Sequence, residues 1–166
     1  MKVEFLSDTE FEFIIESLNK NKGMSDDEYN TLKLKHPYAI MRDDNALILS
    51  SMKHYGLHDK IFNSFILEKF GRPEYDIDFF YELIYNVGDY TNPHFDKEIS
   101  IQTTLVLLSD GFSGGELLIN GLDVGFNKKQ MYINFDGFKS KHSVNVITSG
   151  ERRVLVIMFN KKQSLL

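Results

Sequence analysis

The sequence predicts a mainly β protein in which helices come first and an antiparallel sandwich or jelly roll follows. Before Pro73, apolar residues recur at helical spacing. After it they alternate with a period of two, and turn-forming residue pairs divide the chain into short strands. With 166 residues, 42% of them hydrophobic, the chain can bury a proper core. We expect one domain, residues 1–166, with a helical support region over about 1–73 and a β region over about 74–162.

Two capping boxes predict where helices begin. Ser7 stands three residues before Glu10, so each side chain can bond the backbone N–H of the other residue. Ser25 and Glu28 have the same spacing and predict a second, short helix. After the first box, apolar residues follow at helical period and predict an amphipathic helix over about 8–20: Phe11, Ile14, Ile15 and Leu18.

The segment from Asp43 to Phe70 also has a helical pattern. Gly56 interrupts this pattern, because glycine is unfavourable inside a helix. The sequence Gly71-Arg72-Pro73 then ends it. We therefore predict two helices here, divided near Gly56.

After Pro73 the period becomes that of a strand. A half-buried strand is predicted by alternating apolar residues: Ile77, Phe79, Tyr81, Leu83 and Tyr85. Further short strands are separated by turn-forming pairs: Asp110-Gly111, Gly114-Gly115, Asn120-Gly121, Asp136-Gly137 and Ser149-Gly150. Among these pairs, Asn120-Gly121 is the best hairpin signal, because both residues accept the positive φ of a type I′ turn.

Composition excludes several classes of function. The chain has no cysteine, which rules out disulfides, thiolate zinc sites and cysteine nucleophiles, so redox chemistry would need a borrowed cofactor. Acidic residues interrupt the N-terminus, and no window approaches 18 apolar residues, so we expect a soluble, cytoplasmic protein with no membrane partner. The net charge of −5 argues against nucleic acid, although residues 128–166 carry 8 basic and 2 acidic residues.

A candidate metal site is formed by three residues. In an extended segment His94 and Asp96 project to the same side, so their side chains can reach one point. This H-x-D pair is common by chance, but His142 lies 48 residues downstream, just before a β-branched segment that a sandwich could bring back to the pair. Two histidines and one carboxylate on one face of a metal leave the opposite positions open, as in non-haem Fe(II) oxygenases.

From about Asp76 to Phe159 the sequence resembles the Fe(II)- and 2-oxoglutarate-dependent dioxygenases, and within them the prolyl 4-hydroxylase-like branch. The matching pieces come in the family's order: ELIYNVGDY, HFD, TTLVLLSD, GFSGGELLI, NKKQMYINFD and HSVNVITSGERRVLVIMF. The resemblance implies a double-stranded β-helix supported by N-terminal helices. It also implies that the iron ligands are His94, Asp96 and His142.

The resemblance further implies the co-substrate site. Arg152, ten residues past His142, matches the family's basic residue that pairs with the distal carboxylate of 2-oxoglutarate. Tyr85 matches a family tyrosine that could donate a hydrogen bond to the same molecule, although a plain core tyrosine would look the same. Arg153 points to the opposite face of its strand, and we interpret it as a surface charge.

The implied reaction is hydroxylation of a C–H bond with Fe(II), 2-oxoglutarate and O₂, releasing succinate and CO₂, with ascorbate as a further candidate cofactor. No catalytic residue is implied beyond the metal ligands. We expect a peptide or protein substrate, with a prolyl residue first, and a small molecule as the other option. Nothing in the sequence predicts the oligomeric state.

The sequence departs from the family's pattern at three positions. A tyrosine that commonly hydrogen-bonds the distal carboxylate aligns with Leu107. A proline usually found four residues after the second histidine is Val146, and a tryptophan near Met158 is absent. None of these positions is a metal ligand, but the first leaves open which residue completes the 2-oxoglutarate site.

Two alternatives stay open at this point. One is a nucleic-acid oxidative demethylase of the same cofactor class, favoured only by the basic C-terminal part. Such enzymes need a pocket for a flipped base and a stripe of phosphate contacts, and the sequence has no sign of either. The other is a non-catalytic jelly-roll binding module, which would neither bind iron nor consume 2-oxoglutarate.

Overall fold

The computed structural model describes residues 1–35, 47–48, 51–96 and 100–162. Its helices are α1 (Asp8–Lys20), α2 (Asp26–Lys35) and α3 (Lys60–Phe70). Its strands are β1 (Val3–Phe5), β2 (Leu47–Ile48), β3 (Ser51–His54), β4 (Tyr75–Tyr85), β5 (Tyr90–His94), β6 (Gln102–Leu107), β7 (Ser113–Gly114), β8 (Leu117–Ile119), β9 (Leu122–Asp123), β10 (Met131–Phe135), β11 (His142–Val144), β12 (Ile147–Ser149) and β13 (Arg152–Lys161). No helix within the described residues is long and apolar enough to cross a membrane.

Antiparallel sheets form the body of the protein. The larger sheet has the strand order β1-β10-β6-β13-β4-β3, and the second has the order β2-β5-β11-β8-β9, with β12 and β7 paired separately. An apolar core fills the space between the two large sheets. The order mixes strands distant in sequence, as in a jelly roll, and this confirms the predicted fold class: a double-stranded β-helix supported by helices.

Helices α1 and α3 cover the outer face of the six-stranded sheet and create a second core there. Residues of α1 and α3 pack with the outward side chains of the sheet: Phe11, Ile14, Leu18, Phe62, Ile66, Phe80, Leu155 and Ile157. Strand β4 was predicted to be half-buried, but Phe80 and Glu82 on its second face are buried as well. The difference arises because a helical layer replaces solvent on that face.

A β-bulge breaks the alternation predicted for β4. Met158 pairs with Phe79, but the next residue of β13, Phe159, pairs with Ile77, so Asp78 is an extra residue on β4. Ile77 therefore packs with the helix-side core, whereas Phe79 lies between the sheets.

Both capping boxes form as predicted. The backbone N–H of Glu10 donates to the Ser7 hydroxyl oxygen over 3.1 Å, and the N–H of Ser7 donates to the Glu10 carboxylate over 2.9 Å. The pair at Ser25 and Glu28 makes the same reciprocal bonds at the start of α2. The helix predicted over about 8–20 is confirmed as α1. The capping box at its start satisfies backbone N–H groups that have no partner within the helix.

Two helices were predicted between Asp43 and Phe70, and the prediction of the first one is wrong where the structure describes this segment. Residues Ser51–His54 form strand β3, which pairs with β4 from Tyr81 to Ile84. Strand β4 would otherwise leave its backbone groups unpaired along that edge, and pairing overrides the local helical pattern. Residues 36–46 and 49–50, including Asp43, lie outside the described residues. The second helix is confirmed as α3.

The Asn120-Gly121 pair forms the predicted hairpin turn. Asn120 has a φ of 52° and Gly121 a φ of 80°, the two positive values that a type I′ turn requires. The turn joins β8 to β9, which pair antiparallel. This local signal was sufficient because the two residues set the turn without help from distant segments.

Arg153 lies on the opposite face of β13 from Arg152, as expected, but it is not simply a surface charge. Its Nε lies 2.6 Å from the Glu82 carboxylate, and Glu82 is only 2% exposed. The Tyr55 hydroxyl donates to the same carboxylate over 2.9 Å. The hydrogen bond that Arg153 donates to Glu82 raises the pKa of Arg153. Arg153 is therefore a partner that a buried carboxylate needs.

Replacing Arg153 with alanine should lower the free energy of unfolding by about 1–3 kcal/mol, because Glu82 loses a charged hydrogen bond while water can reach part of the vacated space. Urea denaturation of the purified protein measures the loss. A double-mutant cycle with Glu82→Gln should show strong coupling. An unchanged denaturation midpoint for Arg153→Ala would contradict this interpretation.

Candidate metal centre

The three predicted ligand residues come together at one end of the space between the sheets. One ligand atom from each of His94, Asp96 and His142 lies within 4.8 Å of the others. The Asp96 Oδ1 atom is 3.2 Å from His142 Nε2 and 3.7 Å from His94 Nε2. His94 and His142 are far apart in sequence, and the pairing of β5 with β11, in which they are direct partners, brings them together.

A bulge in β5 helps to aim His94. His142 pairs with His94 and Val144 pairs with Thr91, so two steps along β11 correspond to three along β5. The extra residue lets both Thr91 and His94 line the same cavity, although an uninterrupted strand would direct them to opposite faces. Strand β5 ends at His94, and the following loop is held where the Asp96 backbone N–H donates to the Gly137 carbonyl over 2.8 Å.

Both histidines present the same nitrogen to the site. The Nδ1 atom of His94 lies 2.8 Å from the Asn92 carbonyl oxygen, and that of His142 lies 2.8 Å from the Ser140 carbonyl oxygen. A carbonyl can only accept, so each Nδ1 donates its proton to that carbonyl, and each Nε2 faces the Asp96 carboxylate. Metal-binding histidines are commonly oriented by such a second bond.

The Asp96 carboxylate completes a set of electron donors. Its Oδ2 atom accepts a 2.6 Å hydrogen bond from the Thr103 hydroxyl, while Oδ1 faces the imidazoles. Burial by itself raises the pKa of Asp96, but hydrogen bonds from His142, His94 and Thr103 outweigh it and hold the pKa well below its ordinary value. Two imidazole nitrogens and an ionised oxygen thus converge, a set of ligand atoms that a divalent cation can bind.

The cavity extends from these three residues to Arg152. Arg152 is fully buried, and none of its three guanidinium nitrogens has a hydrogen-bond partner among the described residues. The guanidinium carbon lies 5.1 Å from the centre of the Tyr85 ring and 6.0 Å from that of Phe126. Burial lowers the pKa of Arg152. Aromatic contact offsets only part of the desolvation of a cation, so this arrangement is suited to an anionic ligand.

Tyr85 lines the cavity together with Arg152, whereas Leu107 is not one of its lining residues. Tyr85 is the direct cross-strand partner of Arg152, and its hydroxyl lies 2.7 Å from that of Thr91 on the opposite sheet. Leu107 is fully buried and has no polar side-chain atom to offer. The structure therefore places a pair of hydroxyl groups, from Tyr85 and Thr91, in the cavity that contains the arginine.

Sequence reasoning missed three residues around this site: Thr91, Thr103 and Gly137. A signal was present for Thr103, because it shares the inward face of β6 with Leu105 and Leu107, and a polar residue at an inward position needs a partner. No comparable signal marked Gly137, whose importance depends on the approach of Asp96 from a distant loop.

No protein-family model matches the sequence, and no curated protein matches it. Solved structures do match the fold. The viral collagen prolyl hydroxylase of Paramecium bursaria Chlorella virus 1, solved with 2-oxoglutarate, aligns with a TM-score of 0.60 and 17% identity over 98% of this chain and 97% of the viral one. A prolyl hydroxylase of Trichoplax adhaerens, solved with a hypoxia-inducible-factor peptide, aligns with a TM-score of 0.57 and 13% identity over 96% and 82%.

A 2-oxoglutarate-Fe(II) oxygenase-family protein of Burkholderia pseudomallei aligns with a TM-score of 0.52 and 19% identity. That match covers 64% of this chain and about half, 53%, of the bacterial protein. The two prolyl hydroxylases, by contrast, match nearly the whole chain. The resemblance inferred from the sequence is thus confirmed in the fold: this chain has the double-stranded β-helix found in 2-oxoglutarate-Fe(II) oxygenases and prolyl hydroxylases.

Proposed function

We propose that this protein is an Fe(II)- and 2-oxoglutarate-dependent dioxygenase that hydroxylates a C–H bond. One observation carries the proposal: a single cavity is lined by a two-histidine, one-carboxylate cluster and by a buried arginine that has no hydrogen-bond partner within the described part of the chain. A metal alone would explain the first feature and an anion alone the second. A dicarboxylate that also chelates the metal explains both.

His94, Asp96 and His142 would hold the iron, since they supply the donor set that Fe(II) oxygenases use. When bound, the iron and 2-oxoglutarate supply oxidation by O₂, with one oxygen atom entering succinate, the other entering the substrate as hydroxyl, and CO₂ released. The protein contributes ligand geometry. The carbonyls of Asn92 and Ser140 orient the imidazoles, so that Nε2 of each would be the atom that binds the metal.

Arg152 would bind the distal carboxylate of 2-oxoglutarate. Its planar guanidinium can donate two parallel hydrogen bonds, and its packing between Tyr85 and Phe126 orients it before the ligand arrives. The hydroxyl pair of Tyr85 and Thr91 would provide a second hydrogen-bond donor to the ligand. One of the two hydroxyl protons lies in the bond between them, and the other can point to the ligand. This pair would take the place of the family tyrosine that aligns with Leu107.

The rest of the cavity wall is suited to excluding water from the site. It is formed mainly by apolar side chains of both sheets: Leu83, Leu105, Leu117, Val144, Val154 and Val156. In such surroundings the attraction between Arg152 and a carboxylate is much stronger than in water.

A peptidyl substrate, with a prolyl residue first, is the finer part of the proposal. Its support is the fold shared with two prolyl hydroxylases, one of which was solved with a peptide. A nucleic-acid substrate gains no support, because Arg152 is buried and Arg153 is paired with Glu82, so neither is available for phosphate.

Binding and turnover test the proposal in that order. Anaerobic calorimetry should detect 2-oxoglutarate binding only in the presence of Fe(II), and admission of O₂ with a substrate should yield succinate. Mass spectrometry of proline-containing peptides should then show a mass gain of one oxygen. Failure to bind 2-oxoglutarate would favour the binding-module alternative, whereas succinate formation without peptide modification would direct attention to small-molecule substrates.

A further inference from the structure

The two oxygens of the Asp96 carboxylate have different surroundings. Oδ1 faces His142 and His94, whereas Oδ2 accepts the 2.6 Å bond from Thr103. Thr103 is 2% exposed and lies on β6, in the sheet opposite the two histidines. The hydroxyl also lies 3.4 Å from the Met158 sulfur, but thioether sulfur is a weak acceptor, so its single proton goes to the carboxylate.

Gly137 encloses the same oxygen from a third direction. A Cβ atom at this position would lie 1.9 Å from Asp96 Oδ2 and 2.8 Å from the Thr103 hydroxyl oxygen. The Gly137 carbonyl also accepts the bond from the Asp96 backbone N–H. The glycine therefore lets its loop approach closely enough to confine the carboxylate between the loop and β6.

We propose that Thr103 and Gly137 are positioning residues that commit Oδ2 of Asp96 to the protein, so that the metal receives Oδ1 alone. This inference rests on the proposed function. A carboxylate free to rotate can bind a metal through both oxygens and occupy an additional coordination position. With one oxygen held by Thr103, the positions opposite the three protein ligands stay open for the co-substrate and O₂.

Cobalt(II), a spectroscopic substitute for iron, tests the inference without catalysis. In Thr103→Val, which removes the hydroxyl at similar size, we expect Co(II) affinity to fall about 10- to 100-fold and the visible absorption of the bound ion to change with its coordination number. Thr103→Ser keeps the hydroxyl and should restore both. Gly137→Ala should also weaken binding, because its methyl group would displace the carboxylate.

Thr104→Val is the matched control. Thr104 is the next residue of the same strand, is fully buried and also donates a 2.6 Å hydrogen bond, but to Asn134 on the other face of the sheet. Its variant has the same chemical change and loses at least as much hydrogen bonding, since the Thr104 hydroxyl also accepts a bond from Gln102, so it reports general effects of destabilisation. We expect its Co(II) affinity and spectrum to match those of the wild type.

The outcomes separate the inference from the proposed function. Wild-type protein that binds no divalent metal would overturn both. Wild-type protein that binds Co(II), with Thr103→Val showing the same affinity and spectrum, would overturn the positioning role alone. Equal changes in Thr103→Val and Thr104→Val would do the same. If Thr103→Val does not fold, Thr103→Ala provides the same comparison.

Discussion

Replacing His94, Asp96 or His142 with alanine should abolish succinate formation and leave the fold intact. Each change removes one of the three groups that would hold the metal, and loss of a ligand should weaken metal binding by more than the roughly 10- to 100-fold caused by loss of an outer partner. The fold should survive because these side chains converge on a cavity and do not fill the core. Metal titration, succinate release and circular dichroism measure the three expectations.

Two further variants sharpen this test. His58→Ala is the control, since His58 is exposed and remote in sequence from the three ligands, and it should retain full turnover. Asp96→Glu should be severely impaired, because the added methylene moves the carboxylate by about an ångström and would break its bond with Thr103. If all three alanine variants kept wild-type succinate production, the assignment of the ligands would be wrong.

Arg152→Ala should retain metal binding but weaken 2-oxoglutarate binding by about 2–5 kcal/mol, since a buried carboxylate would lose the cationic partner that Arg152 provides. Arg152→Lys should recover part of this affinity, because it restores the charge without the planar fork. Calorimetry under anaerobic conditions, with the metal present, measures both. This separates the co-substrate assignment from the metal assignment.

Stability provides an independent readout at the same position. Without a ligand, Arg152 is a buried cation with no hydrogen-bond partner among the described residues, so Arg152→Met should leave the ligand-free protein at least as stable as the wild type. The gain in melting temperature on adding 2-oxoglutarate should disappear in this variant. A large loss of stability would instead indicate that Arg152 serves the fold.

Arg153→Ala is the matched control for Arg152, with the opposite expected pattern. It should lower stability, because Glu82 loses its partner, and leave 2-oxoglutarate affinity unchanged. The two arginines are neighbours on β13 and lie on its opposite faces. A titration in which Arg153→Ala weakened binding and Arg152→Ala did not would show that the other face of β13 is the functional one.

The candidate site was predictable from sequence to different degrees. The histidine and aspartate types at their spacing pointed to the candidate metal ligands, and the family resemblance added Arg152 as the candidate anion-binding residue, because metal and carboxylate recognition need particular side-chain chemistry. The roles proposed for Thr103 and Gly137 were not predictable, since the inward position of Thr103 indicated only that it needs a polar partner and not which one. A threonine in a β-branched strand and a glycine in a turn have ordinary explanations, until the fold brings both against the carboxylate of Asp96.

The sequence alone determined those features that depend on residues close together in the chain. The capping box at Ser7, the type I′ turn at Asn120 and the opposite faces of Arg152 and Arg153 each depend on geometry within a few residues. Tertiary structure decided the features that depend on distant partners: the strand at Ser51–His54, the bulges opposite Phe159 and in β5, and the burial of both faces of β4. The physical reason is that backbone hydrogen bonds and apolar surfaces must be satisfied across the whole fold, and local preference yields where the two conflict.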